Sequence, residues 1–185
     1  MSAPEHLRGL VERKKETIET HERELDELLP LLRAQKLEKK IDGVSVVHYS
    51  GIDGMKTVMD MAFYCKSKKW NIIAPYVNFL REYDKDYAQR YLRARKYYGI
   101  TSRALWEKRA QTRKLSAQEI KERNPRVMPS VMHGRFKSMM IIFDDKIAIF
   151  SSYEKLSAIL ITSKELHGMF LAIFEGLWEV SERYE

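Results

Sequence analysis

The stretch from Phe136 to Ile161, FKSMMIIFDDKIAIFSSYEKLSAILI, leaves the chain few choices of fold class. Two apolar, β-branched runs, Ser138–Phe143 and Lys146–Phe150, are joined by Asp144-Asp145, which has the length and residue type of a hairpin turn. A third run, Leu156–Ile161, follows a polar break. Three consecutive short strands predict the centre of a sheet. Downstream, Thr162 and Glu165 have capping-box spacing, and Leu166, Met169, Phe170, Ile173, Phe174, Leu177 and Trp178 form a wide apolar stripe. That stripe predicts a closing helix laid on one face of the sheet.

Upstream, strands and helices alternate. Val44–Tyr49 reads as a strand, followed by SGIDG and a helix whose buried face is Met55, Val58, Met59, Ala62 and Phe63. A strand, a glycine turn and a helix start can hold an anion, but Gly51-x-x-Gly54 lacks the Lys-Ser/Thr of a P-loop and a third glycine. Trp70–Ala74 is the second strand, and Tyr76–Tyr98 a long helix ended by Gly99. In that helix Phe79, Tyr83, Tyr87 and Tyr91 recur every four residues among Arg90, Arg93, Arg95 and Lys96. The spacing fits a core-facing aromatic stripe with a basic solvent face; a nucleic-acid face would instead stack bases on the tyrosines. Ile100–Trp106 is a third strand, Ser116–Arg123 a short helix with Ser116 and Glu119 at capping-box spacing, and Arg126–Val131 a short strand broken by Pro129, expected at a sheet edge. The alternation predicts an α/β domain over residues 41–185 with a mixed sheet flanked by helices.

Residues 2–36 predict a different object, a single long helix opened by a capping box of Ser2 and Glu5 and kinked by Pro30. Leu7, Val11, Ile18, Leu25, Leu28 and Leu32 step along it at heptad spacing, with Lys14 and His21 at the two polar seam positions. So narrow a stripe on so charged a helix suits a partner helix better than a globular core. Residues 1–40 are therefore expected to be a dimerising coiled coil, the alternative being an amphipathic helix packed on its own domain.

Charge is unevenly placed. The formal net charge is +7 over 185 residues, yet residues 1–40 are neutral, residues 127–185 carry −2, and residues 81–126 carry +8. A basic segment of this kind is either a solvated face or a surface for nucleic acid or another anion. No apolar run reaches the ~20 residues that span a bilayer, so a membrane role is not expected. The single cysteine, Cys65, has no internal partner and sits in an apolar setting, which predicts an inert thiol and a reducing, cytoplasmic location. His6, His21, His48, His133 and His167 are isolated, and no set of His, Cys and acidic residues has metal-ligand spacing. No metal or cofactor is expected.

The order of several stretches resembles a known family. These are a charged helix containing ELLPLL, the start YSGIDG, KYYGI, the hairpin IIFDDKIAIFS and the closing helix SKELHGMFLAIFEGLWE. Together they resemble the C-terminal part of the TrmB-like transcriptional regulators, across nearly the whole chain. The resemblance implies a dimerising helix followed by an effector-sensing domain with a phospholipase D-like fold. It implies a homodimer, a sugar or another small metabolite as effector, and DNA contacted only through a winged helix-turn-helix, a pattern not found in this sequence.

The phospholipase D signature is H-x-K-x4-D-x6-G-S-x-N, with the His as nucleophile on a phosphodiester and the Lys holding phosphate oxygens. Laid on the hairpin by its turn, it sets Asp144 on the aspartate, Lys137 on the nucleophile, Met139 on the phosphate lysine, Ser151 and Ser152 on G-S, and Glu154 on the asparagine. His133 lies four residues too early to replace the nucleophile. The resemblance thus implies a binding module in place of an enzyme, with Lys137, Ser152, Tyr49, Tyr76 and Trp106 as candidate ligand contacts. The alternatives are a phosphodiester hydrolase with non-standard residues and a nucleic-acid binder using residues 81–126.

Overall fold

The computed structural model describes residues 9, 11–15, 17–18, 43–75, 80, 84–107, 115–152 and 154–184, and divides the chain into two units, Met1–Ile41 and Asp42–Glu185. The first unit is helical at its described residues, where Val11 and Ile18 are each 56% exposed. The remaining seam positions Leu7, Leu25, Leu28 and Leu32, and the predicted Ser2 cap and Pro30 kink, lie outside the described residues.

The second unit is built on one mixed sheet of eight strands. These are β1 (Ser45–Ser50), β2 (Lys69–Ala74), β3 (Thr101–Trp106), β4 (Pro125–Val127), β5 (Met139–Phe143), β6 (Lys146–Phe150), β7 (Ser157–Thr162) and β8 (Glu182–Arg183). Their spatial order is β1-β7-β6-β5-β2-β3-β4-β8. Strands β2, β3 and β4 run parallel, and every other pairing is antiparallel. The three predicted strands of Phe136–Ile161 are β5, β6 and β7, adjacent and near the middle of the sheet. Asp144-Asp145 is the turn between the first two: Asp144 takes a positive φ of 48°, and Phe143 pairs with Lys146. Ile141, Ile147, Ala148 and Phe150 are wholly buried.

Helices cover both faces. On one lie α1 (Gly51–Phe63), α2 (Lys85–Tyr97) and α3 (Ala117–Arg123), and on the other α4 (Lys164–Glu179). The buried side chains of α1 are Met55, Val58, Met59, Ala62 and Phe63, the face its spacing predicts. Its last turn meets Trp70 of β2, which is 1% exposed and donates from Nε1 to the Ala62 carbonyl at 3.1 Å. Phe63, Trp70 and Tyr91 form an aromatic cluster with centroids 5.4–6.1 Å apart. Cys65, just past the helix, is buried as expected. Tyr87 and Tyr91 point inward, as a core stripe requires, and Phe79 and Tyr83 of the same stripe lie outside the described residues.

Four expectations need correction. The helix predicted from Tyr76 begins instead at Lys85, because Asp84, in an extended conformation, caps it by accepting from the Asp86 and Tyr87 N–H groups at 2.9 Å. The closing helix is capped by Ser163, whose hydroxyl accepts from Leu166 N, while Thr162 remains the last residue of β7. Strand β4 is not an edge, since Pro125 opens it at a position needing no donor and two residues of β8 pair beyond it. Finally, the apolar stripe of α4 is wider than the surface it covers. Phe174 and Trp178 are buried, Phe170 and Leu177 pack beside them, and Met169 and Ile173 are each 49% exposed.

The capping box of α3 is present in full: Ser116 Oγ accepts from Glu119 N, and Ser116 N donates back to the Glu119 carboxylate at 3.0 Å. Among the described residues no helix is long and apolar enough to cross a membrane.

Candidate functional site

Parallel strands β2 and β3 end at Ala74 and Trp106, which are in register with each other. Antiparallel pairing carries β5 away from this edge and β6 back to it, with Met139 opposite Phe150. Phe150 pairs with Ala158, and Ala158 with Tyr49. Four predicted contacts, Tyr49, Trp106, Lys137 and Ser152, therefore come to one edge of the sheet. The fifth, Tyr76, lies outside the described residues.

Sharing an edge is not sharing a pocket. Tyr49 on β1 and Trp106 on β3 are five strand spacings apart, roughly 24 Å at ~4.8 Å per strand. Their side chains are also occupied. Tyr49 packs on α1, with its hydroxyl 3.9 Å from Met61 Sδ, and burial raises its pKa above the usual tyrosine value. Trp106 is 4% exposed, set edge-on to Tyr184 with the Arg123 guanidinium 5.9 Å from its ring, so it offers no open stacking surface. What remains together at the middle of the edge is Lys137, which is exposed, and Ser152.

Glu107 has a role at this edge that spacing alone does not mark. It follows β3 directly, is 5% exposed, and accepts from the Phe136 backbone N–H at 3.2 Å, tying down the approach to Lys137. Its signal in sequence is an acid next to a strand's buried end. Met139, which the resemblance sets on the phosphate lysine, is 4% exposed within the core. His133 is engaged: its Nε2 lies 2.9 Å from the Met128 carbonyl, which can only accept, so Nε2 carries the proton.

Other motif positions hold the scaffold. Asp144, at the far end of the hairpin, accepts from Lys66 N at 2.8 Å and Ser67 N at 3.0 Å. Partial burial pushes its pKa up, but these bonds and nearby Lys146 outweigh it and leave the pKa lowered. Ser151 Oγ accepts from Ser157 N at 2.8 Å, closing the loop between β6 and β7. The two glycines of YSGIDG are likewise structural. Gly51 turns the chain at φ 73° and gives its N–H to the Leu156 carbonyl at 2.7 Å, while a Cβ on Gly54 would lie 3.0 Å from Tyr49. Ser50, at the helix N-cap position, makes no capping bond and lies 3.4 Å from His48 Nδ1. Between α1 and α2 a cavity beside Phe150 has about 10 Å³ of free space, at the limit for one water. Among the described residues no group of three or more His, Cys, Asp or Glu side chains is placed to hold a metal.

No protein-family model and no curated protein matches the chain. Solved structures do. Nuc from Salmonella typhimurium, a phospholipase D family member, is 16% identical, with 77% of this chain and 99% of that one covered at a TM-score of 0.55. NucT from Helicobacter pylori is 11% identical over 76% and 99%, at 0.54. TrmBL2, an archaeal chromatin protein with a novel mode of DNA binding, is 19% identical over 96% and 68%, at 0.49. Identities this low speak only to architecture, and the match to Nuc, a phospholipase D family member, agrees with the sheet and helix layers described above. The domain has a phospholipase D-like α/β fold.

Proposed function

We propose that the chain is the effector-binding and dimerisation module of a TrmB-like transcription regulator and has no catalytic activity. The observation that carries this reading is the hairpin. Lys137 stands where the phospholipase D signature has its nucleophile, and the phosphate-binding lysine is replaced by Met139, whose thioether is buried in the core. His133, the nearest histidine, uses Nε2 to hold the Met128 carbonyl. A buried methionine has no charge with which to neutralise a phosphodiester.

The effector, a sugar or another small metabolite, would sit at the middle of the edge, against Lys137 and Ser152. Dimerisation would run through the N-terminal seam, and the setting would be cytoplasmic. A thermal-shift screen against sugars, nucleotides and phosphorylated metabolites tests the sensing role, because a ligand that binds only the native state raises its melting temperature. A stabilising compound whose effect is lost in Lys137→Ala supports the site; stabilisation unaffected by that change places the effector elsewhere. Light scattering tests the seam, where a monomer at micromolar concentration would remove it.

One observation favours a second reading. On α2, Arg90, Arg93 and Lys96 are exposed together with Tyr97, which is 85% exposed. Three cations beside an open ring suit single-stranded nucleic acid. An electrophoretic shift of random oligonucleotides with a steep salt dependence would support it.

A further inference from the structure

At the opposite edge of the sheet, where β2 and β3 begin, there is an open cleft of about 450 Å³. Both strands are six residues long, so this cleft lies roughly 17–20 Å from the edge that carries Lys137. Its charged lining residues are Lys69, Arg103 and Lys121, and it has no acidic one. Arg103 is satisfied by Glu175, through bonds of 2.6 and 2.9 Å, and by the Asn71 side-chain oxygen. Lys69 and Lys121 are in no ion pair with a described residue. The nearby Glu122 carboxylate accepts from the Gln118 side chain at 2.8 Å. Asn124 adds a neutral amide to the rim, while the Thr101 hydroxyl donates to the Lys68 carbonyl at 3.4 Å.

Behind the cleft is a second, independent feature. Arg95, in the last turn of α2, is 5% exposed, and its guanidinium meets two of the cleft's own lining residues: Nη2 donates to Ser102 Oγ at 3.1 Å, and Cζ lies 5.9 Å from the Trp70 ring. A longer bond of 3.5 Å reaches the Glu122 carbonyl, and Nε has no hydrogen-bond partner among the described residues. Among the described residues no carboxylate pairs with Arg95. A buried cation without a counter-charge is costly, and the carbonyl end of α2 offsets only part of that cost. An anion in the cleft would supply the missing charge through the Ser102 and Trp70 wall.

We propose that this cleft binds the phosphate group of a small metabolite. Two ammonium groups in no ion pair with a described residue match the two negative charges of a phosphate monoester, and the Asn124 amide lines the same cleft. The volume is that of one metabolite-sized ligand. This site is separate from the edge where the effector reading places its ligand, and it holds or fails independently of that reading.

The experiment is isothermal titration calorimetry of the full chain at fixed ionic strength with glucose 6-phosphate and inorganic pyrophosphate, using glucose and chloride as controls. Saturable binding of the two phosphorylated probes alone is expected, weakened about tenfold by Lys69→Gln and by Lys121→Gln, as for loss of one charge-assisted bond. Both lysines are exposed, so the variants should fold, which circular dichroism checks. Lys137→Gln should leave binding unchanged. Absence of saturable binding, binding untouched by both lysine variants, or binding abolished by Lys137→Gln overturns the proposal. So does binding of an oligonucleotide when neither small phosphate binds.

Discussion

Gly54 and Gly176 both lie inside helices, with opposite consequences for a substituted side chain. A Cβ on Gly54 would come within 3.0 Å of the Tyr49 backbone and side chain, and nothing lies within 4 Å of a Cβ on Gly176. Gly54→Ala should destabilise the domain by about 1–3 kcal/mol through overpacking. Gly176→Ala should stabilise it by about 0.5–1 kcal/mol through helix propensity. Chemical denaturation of the two variants checks both signs.

Asp84 makes a prediction of a different kind. Its salt bridge to Lys56 at 2.8 Å, with the N-cap bonds to Tyr87 and Asp86, lowers its pKa to about 2. A carboxylate with a lowered folded-state pKa adds stability that is complete above its unfolded value and lost as pH falls through the folded one. Stability should therefore decline between roughly pH 4 and pH 2, the window set by the ordinary aspartate value and the lowered one. Asp84→Asn keeps an oxygen for the cap and removes the charge, so its unfolding midpoint should fall less steeply over that range. An unchanged slope would remove Asp84 from the acid response.

At the scale of elements, β3 and α4 are joined by the bidentate Arg103–Glu175 pair, with Arg103 also lying over the Phe174 and Trp178 rings at 5.0 and 5.4 Å. The side chains are 32% and 44% exposed, so solvent screens the charge. A double-mutant cycle on Arg103→Met and Glu175→Gln should give a coupling of only about 0.5–1 kcal/mol. Trp178→Ala should cost about 3–5 kcal/mol by leaving a cavity over the sheet. A ratio near one between the two effects would mean that charge and not packing holds α4.

The same elements explain what could be read in advance. The hairpin was legible because Asp144-Asp145 separates two runs long enough to show their apolar character, and the buried face of α1 because five positions repeat at helical spacing. Strand β8 was not, since two residues carry no periodicity. Nor was the Asp84 cap, because an acid in a charged run, REYDKD, looks like any other surface acid. Thr162 and Ser163 can both cap, and only the pairing of Thr162 with Ser45 and Lys146 decides between them.

For the whole molecule, strand order placed the candidate residues at one edge, but only side-chain direction decides which of them can act together. Hydropathy marked Trp106 as a residue at a strand's end; it could not reveal that Arg123 and Tyr184 take up its ring. The proposed function rests on a different signal, the resemblance that sets Lys137 and Met139 where a phosphodiesterase would have its nucleophile and its cation.

The most direct test is hydrolysis of bis-p-nitrophenyl phosphate by the purified chain, compared with Lys137→Ala and His133→Ala. The account predicts no turnover above the buffer rate for any of the three. Turnover by the parent chain that disappears in either variant would contradict it, and would make this edge an active site built from other residues.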